Sequence, residues 1–311
     1  MDITRLWLDF ETYSELDVSS VGVSRYARHP STEVIMLSYA FDDDPWEQWV
    51  PAEGEEMPRR LLRALRDPDV VKFAWNVMFE RAIFEHVLGL PIPYREWRDV
   101  MVMAYAVSLP GKLEHAGKVL RLPADKQKLA RGKALVRRFC QPRKPTEKKP
   151  WRRCTHLTDP EEWEEFKQYG GQDIEAMRAI WHQISRWDLP RQEWRYWCLD
   201  QEINDKGIPV NLRVARNAIR VHEDFLQARL DEMRRLTRLI NPNSQQQLLG
   251  WLKDHGYPYD DVKKGHVAQA IEKAENSRLR RVLELRQEVS RTSAKKYYAL
   301  VRATDDDGML R

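Results

Sequence analysis

Four carboxylates, each set inside an apolar stretch, are the residues of this chain best suited to chemistry. Asp9 and Glu11 stand in LWLDFETY, Glu80 in AWNVMFERAIF and Asp173 in QYGGQDIEAM. An acid drawn into an apolar element is costly unless it is paired or bound to a cation. Oxygen ligands placed in this way suit two hard divalent cations that cut a phosphodiester. Each acid also has a plainer explanation. Asp-x-Glu is common on solvated edge strands, the helix macrodipole favours a helix-start glutamate such as Glu80, and Asp173 fits a solvated helix acid.

The flanking residues predict the elements that must carry these acids. Leu6, Trp7 and Leu8 form an apolar run ending in Asp9, with Phe10 between the acids, so residues 9 and 11 share one face of a strand. Val70, Val71, Phe73 and Trp75 predict a buried strand that turns at Asn76 into a helix carrying Phe79, Ile83, Phe84 and Val87. Glu80 then lies in the first turns of that helix, aimed back at the strand ends. Asp159 with Glu162 predicts a capping box, and Pro160 falls at the first helical position. Trp163, Phe166, Met177, Ile180, Trp181 and Ile184 continue at helical spacing to about Trp187. On that helix Tyr169 and Asp173 are one turn apart. Gly170 and Gly171 open it to close approach by another backbone or a substrate.

Taken together, these segments resemble the proofreading 3′ to 5′ exonuclease domain of family A DNA polymerases, the bacterial DNA polymerase I family, and most of all its phage-encoded members. Asp9-Phe10-Glu11 resembles the first exonuclease motif, Asn76 to Glu80 the second and Tyr169 to Asp173 the third, in matching order and spacing. Trp97 to Met101 looks like the aspartate segment between the second and third motifs, where Asp99 is expected to be structural. The second motif ordinarily ends in aspartate; Glu80 keeps the carboxylate on a side chain one methylene longer. Tyr169 is similar to the tyrosine-bearing branch of these nucleases.

The resemblance implies an α/β fold, with a ribonuclease H-like exonuclease domain over residues 1–190. Its mixed sheet is expected from the segments at Leu6, 34–41, 46–50 and 70–75, with the strand order inherited from the family. It also implies two Mg²⁺ or Mn²⁺ ions: Asp9 bridging both, Glu11 and Asp173 completing one site, Glu80 supporting the other, and Tyr169 orienting the attacking water. Residues 191–311 are expected to form an α-helical thumb. There Glu202 to Val210 resembles the segment joining exonuclease to polymerase, and Asn241 to Gly256 resembles the thumb tip. Periodicity alone gives helices at 194–205, after Asn211 (with Ala215, Ile219, Phe225, Leu226, Leu230, Met233, Leu236 and Ile240), at 244–253 and at 277–302. A charged coiled-coil-like interaction arm would fit that periodicity equally.

Composition agrees with a nucleic-acid partner. The 311 residues carry a formal net charge of +4 with 32% charged residues, and the mean hydropathy is −0.68. A basic run extends from Lys126 to Arg153, and prolines at 142, 145 and 150 mark much of it as loop. Such loops are often merely solvated, but beside a nuclease cleft this one would neutralise phosphates and make binding salt-dependent. The DNA contacts expected are Asn76, Arg143, Lys144, Lys148 and Lys149, with Arg291, Lys295 and Lys296 on the second thumb helix. The three cysteines, Cys140, Cys154 and Cys198, lack metal-pair spacing and are expected to be reduced. With neither a membrane-spanning run nor an export signal at the amino terminus, the expected location is the cytoplasm of a bacterium or a phage-infected host.

No palm or fingers motif follows, and Thr304 to Met309 looks like the turn and strand where a palm begins. Polymerisation is therefore not expected of this chain alone; it would be part of a longer polymerase, or one half of a split enzyme completed by a palm and fingers chain in trans. The expected partners are single-stranded DNA 3′ ends and primer-template. Two other readings remain open at this point: an exoribonuclease of the same tyrosine type with a helical accessory module, and a non-catalytic primer-template-binding subunit.

Overall fold

A computed structural model describes residues 4–123, 131–147, 151–290 and 293–311. The chain divides into two compact units, one running to Gly207 together with Arg311, the other Ile208–Leu310. In the first unit the order is β1 (Arg5–Tyr13), α1 (Val18–Val21), α2 (Val23–Arg28), β2 (Glu33–Phe41), β3 (Glu47–Trp49), α3 (Arg59–Arg66), β4 (Val71–Ala74), α4 (Val77–His86), β5 (Trp97–Asp99), α5 (Val100–Ala106), α6 (Leu113–Val119), α7 (Gly132–Phe139), α8 (Pro160–Ile184) and α9 (Arg191–Lys206).

Five of these strands form one sheet in the order β3-β2-β1-β4-β5. β1 runs antiparallel to β2 and parallel to β4; β2 and β3 are antiparallel, β4 and β5 parallel. Alternation along β1 sends successive side chains to opposite layers. Trp7 meets Phe73 at 4.5 Å and Trp181 of α8 at 5.3 Å between ring centroids. Phe10, on the other face, meets Phe84 of α4 at 4.7 Å. Full burial of each such ring is worth about 1.5–3 kcal/mol, so the aromatic pattern fixes which face of β1 looks at α8. Asp9 and Glu11 belong to the Trp7 face.

Helix α8 lies unusually close to the sheet. A Cβ at Gly170 would sit 2.6 Å from Ser38 Oγ, and one at Gly171 2.4 Å from the Trp46 ring. Gln48 Nε2 bridges the gap, donating to Ser38 Oγ at 2.9 Å and to the Lys167 carbonyl at 2.8 Å. Arg178, nearly buried, donates to the Asp44 carbonyl at 2.6 Å and clamps the helix to the β2–β3 connection.

Several details differ from the sequence reading. The expected boundary at residue 190 is only a break between helices, because Trp194 and Trp197 of α9 join the core of the first unit. Arg81 also donates to Gln201 at 3.1 Å and pairs with Asp205. The unit ends at Gly207, whose φ of +69° suits a glycine. No capping box forms at α8: Asp159 makes no side-chain cap bond. Arg138 takes its carboxylate at 3.0 Å and pairs with Glu162 as well. The basic run read as loop contains α7, whose Leu135 and Phe139 are buried. The strand β5 was also not foreseen; it is three residues long, too short for a periodic signal.

The second unit contains β6 (Ile208–Pro209), α10 (Leu212–Thr237), α11 (Gln245–Asp254), α12 (Lys264–Lys273), α13 (Ser277–Val289), α14 (Lys295–Ala303) and β7 (Met309–Leu310). Met233, Leu248, Leu252, Val267, Val282 and Leu285 build its core. Arg281 with Glu232 (2.7 Å) and Arg229 with Glu288 (2.9 Å) join α10 to α13. The single helix expected over 277–302 is two, since Ser290 ends α13 and turns its hydroxyl onto the Gln287 carbonyl at 2.9 Å, the local competition that disfavours serine inside helices. Ile240 lies beyond α10, which closes at Arg238 in a left-handed conformation, and is exposed. No helix among the described residues is long and apolar enough to cross a membrane.

Asp99 fastens the corner between β4 and α4. Its carboxylate accepts from the backbone N–H of Asn76 (3.1 Å), Val77 (3.0 Å), Met101 (3.0 Å) and Val102 (3.4 Å). Burial pushes its pKa up to about 6 against the opposing pull of those amides. Removing the acceptor leaves buried donors unsatisfied, at about 1–3 kcal/mol for each that water cannot reach. Asp99→Ala is therefore expected to lower the unfolding free energy by about 3 kcal/mol in urea titration; a loss below about 1 kcal/mol would show that the corner does not depend on it.

Candidate active site

β1 delivers the first two acids at its carboxyl-terminal half. Asp9 is half-buried and Glu11 is 8% exposed. The pairing register with β2 slips between Glu11 and Thr12, an irregularity of the kind that re-aims side chains beside functional sites. The second segment enters at Asn76, a left-handed residue with φ +71° whose side chain makes no cap bond. Asparagine tolerates that conformation better than most residues. One turn on, Glu80 is 3% exposed, and its Oε2 is buried without a hydrogen-bond partner. Helix α8 contributes Tyr169 and Asp173, each 4% exposed.

These segments meet in one cleft of about 820 Å³. Its walls include Asp9, Asn76, Glu80, Tyr169 and Asp173, and also Lys112, Lys133, Arg137 and Gln141. Glu11 is not among the walls. Its carboxylate sits beneath the surface and accepts from the Cys140 thiol at 3.5 Å, and burial followed by the Glu11 charge pushes that thiol's pKa well up. Burial and then the Asp9 charge push the Glu80 carboxyl well above the usual carboxylate range. The Tyr169 phenol is raised far above its ordinary value by burial, then by Glu11, Asp173 and Asp9, and by the hydrogen bond it donates to Asp173. All four acids thus act on one another or on a common hydroxyl. Among the described residues no three His, Cys, Asp or Glu side chains are drawn together tightly enough to hold a cation as they stand.

The expected DNA contacts fare differently. Asn76 lines the cleft. Arg143 and Lys144 do not: Arg143 is half-buried with its guanidinium on the Trp151 carbonyl at 3.4 Å, and Lys144 points to solvent. Lys148, Lys149 and Arg291 lie outside the described residues. Lys295 and Lys296 are exposed in the first turn of α14, in the second unit. The basic residues of α7 at the cleft, Lys133 and Arg137, were legible only as members of the charged run.

No family model matches the chain. Its sequence is similar to that of a phage DNA polymerase. The DNA polymerase of Bacillus phage SP02 is 39% identical over 308 residues, which cover 98% of this chain and 47% of that protein. The chain therefore spans about half the length of the relative it matches. Among solved structures, the POL domain of Pol1 from M. smegmatis, in complex with DNA primer-template and dNTP, aligns over 99% of this chain and 48% of its own. The TM-score is 0.53 at 15% identity, a likeness of fold.

Tyr169 is held between two neighbours. Its ring stacks on Phe166 at 6.2 Å, and Gly132 at the start of α7 covers its edge. A Cβ at 132 would lie 2.1 Å from Tyr169 Cε2, so Gly132→Ala must displace the ring or the helix. Overpacking of this kind costs about 1–3 kcal/mol. Gly132→Ala is expected to lose that much stability by thermal unfolding and to weaken whatever activity depends on Tyr169; an unchanged melting curve would mean that α7 yields freely.

Proposed function

We propose that the first unit is a ribonuclease H-like 3′ to 5′ exonuclease that removes nucleotides from DNA 3′ ends, and that the second unit is a thumb that holds primer-template, as in a family A DNA polymerase. The observation that carries this reading is the meeting of Asp9, Glu80, Tyr169 and Asp173, from three distant segments, in one cleft. The strand order β3-β2-β1-β4-β5 with β2 antiparallel, and the similarity to a protein named DNA polymerase over nearly the whole chain, support it further.

The donor set fits two hard divalent cations. It is all oxygen, and it includes a buried Glu80 oxygen without a hydrogen-bond partner beside the charge of Asp9. Carboxylates that repel in a buried site are relieved by a cation between them. Asp9, Glu80 and Asp173 would hold the ions from the walls of the cleft, with Glu11 joining by giving up its weak thiol bond. Bound there, such ions polarise water and stabilise a departing oxygen. The chain's own groups supply position. Tyr169 stays a neutral hydroxyl, anchored on Asp173, and can orient a water at the terminal phosphodiester. Asp99 fixes the corner that carries Asn76 and Glu80.

A second reading, a strand-binding subunit without catalysis, is favoured by one feature: Glu80 stands where the second motif ordinarily ends in aspartate. End-labelled single-stranded DNA, primed duplex and RNA, each incubated with Mg²⁺ or with chelator, separate the possibilities. The expected result is stepwise shortening of DNA from the 3′ end in Mg²⁺, abolished by chelator and by Asp9→Ala at unchanged thermal stability. Full activity in Asp9→Ala removes the metal mechanism, binding of primed DNA without shortening selects the non-catalytic reading, and preferred digestion of RNA selects the exoribonuclease.

A further inference from the structure

Helix α7 and the residue that caps its start carry two kinds of cation. Arg131 pairs with Glu165 at 2.8 Å, and Arg138 pairs with Asp159 at 3.0 Å and with Glu162. These bonds tie α7 to α8. Lys133 and Arg137 stand one turn apart, are exposed, line the acidic cleft, and make no ion pair among the described residues. The cleft thus has carboxylates in its depth and, on the α7 wall, two cations without an ion pair among the described residues. Lys133 adds, after the Lys118 pair, to the lowering of the Glu114 carboxyl that also lines the cleft. The wall forms no ion pair with the deep acids among the described residues, and it suits a polyanion that must come close to them.

We propose that Lys133 and Arg137 form the strand clamp of the cleft, holding backbone phosphates that precede the 3′ end of a single nucleic-acid strand. This rests on the exonuclease reading above and assigns its substrate grip. Two cations one helical turn apart can meet successive phosphates of an extended strand, and such contacts position without reading sequence. The helix that bears them is rigid where it matters: Phe139 stacks on Phe166 at 5.1 Å, and Gly132 packs on Tyr169. The strand and the reacting end are thereby held by one packing unit. Arg143 and Lys144, the basic residues first expected in this role, do not line the cleft.

The test is the salt dependence of binding. Anisotropy of labelled oligothymidylate, measured in EDTA between 50 and 200 mM salt, is expected to show a log–log slope shallower by about 1.4 in the Lys133→Ala/Arg137→Ala double variant, at about 0.7 for each single-strand phosphate that is no longer neutralised. Arg131→Ala, on the α8 side of the helix, should leave the slope unchanged, and the charge-conserving Lys133→Arg/Arg137→Lys pair should retain it. With Mg²⁺, the double variant should raise KM about tenfold with kcat within about twofold, the signature of weakened uniform binding. A folded double variant with the parent's slope and KM overturns the clamp while leaving the exonuclease reading intact. If the parent binds with a steep slope that the double variant loses, yet neither degrades DNA, the clamp stands and the exonuclease reading fails.

Discussion

Helix α8 can reach the sheet only because positions 170 and 171 carry no side chain. A methyl at either would run into Ser38 or Trp46, and the helix would have to rise. Tyr169 and Asp173 flank that glycine pair, so the same close approach that packs the layer also lowers them beside Asp9. Glycine costs about 1 kcal/mol in a helix interior relative to alanine, and two in succession would weaken an isolated helix. The loss is offset by Gln48 bridging to the Lys167 carbonyl and by Arg178 on the β2–β3 connection. Local propensity has yielded to the geometry of the cleft.

That geometry is electrostatically uneasy. Glu80 is buried with one oxygen unpartnered and the Asp9 charge nearby, and several acids raise the Tyr169 phenol. A core selected for stability alone would not assemble such groups, since strongly perturbed acids in a cleft mark function more often than structure. The surroundings restrain the strain. Asp99 gathers two amides at the β4–α4 corner and two at the start of α5, and Cys140 caps Glu11 from behind. Helix α7 takes part in both tasks, because its carboxyl end supplies Cys140 and its first residue packs on Tyr169.

Much of this was readable from residue order. Strand β1 announced itself through Leu6-Trp7-Leu8, β4 through Val70 to Trp75, and α8 through its apolar repeat, because each has a long enough period to register. Helix α7 was hidden: its lysine and two arginines interrupt a short apolar pattern, and the prolines just beyond it suggested a loop. The capping box failed because Arg138, distant in sequence, claimed both carboxylates. The edge of the first unit was misplaced because the tryptophans of α9 obey tertiary burial, which no local break reveals.

The order of residues by itself determined which side chains could do chemistry and which elements carry them, since strand and helix periods are local properties of the chain. Only the tertiary structure decided that Asp9, Glu80 and Asp173 share a cleft while Glu11 turns inward to Cys140. It alone decided that Lys133 and Arg137, and not Arg143 and Lys144, stand at its wall. The physical reason is that proximity across long sequence separations depends on how layers pack, and on the few close approaches, here two glycines against a sheet, that set their spacing.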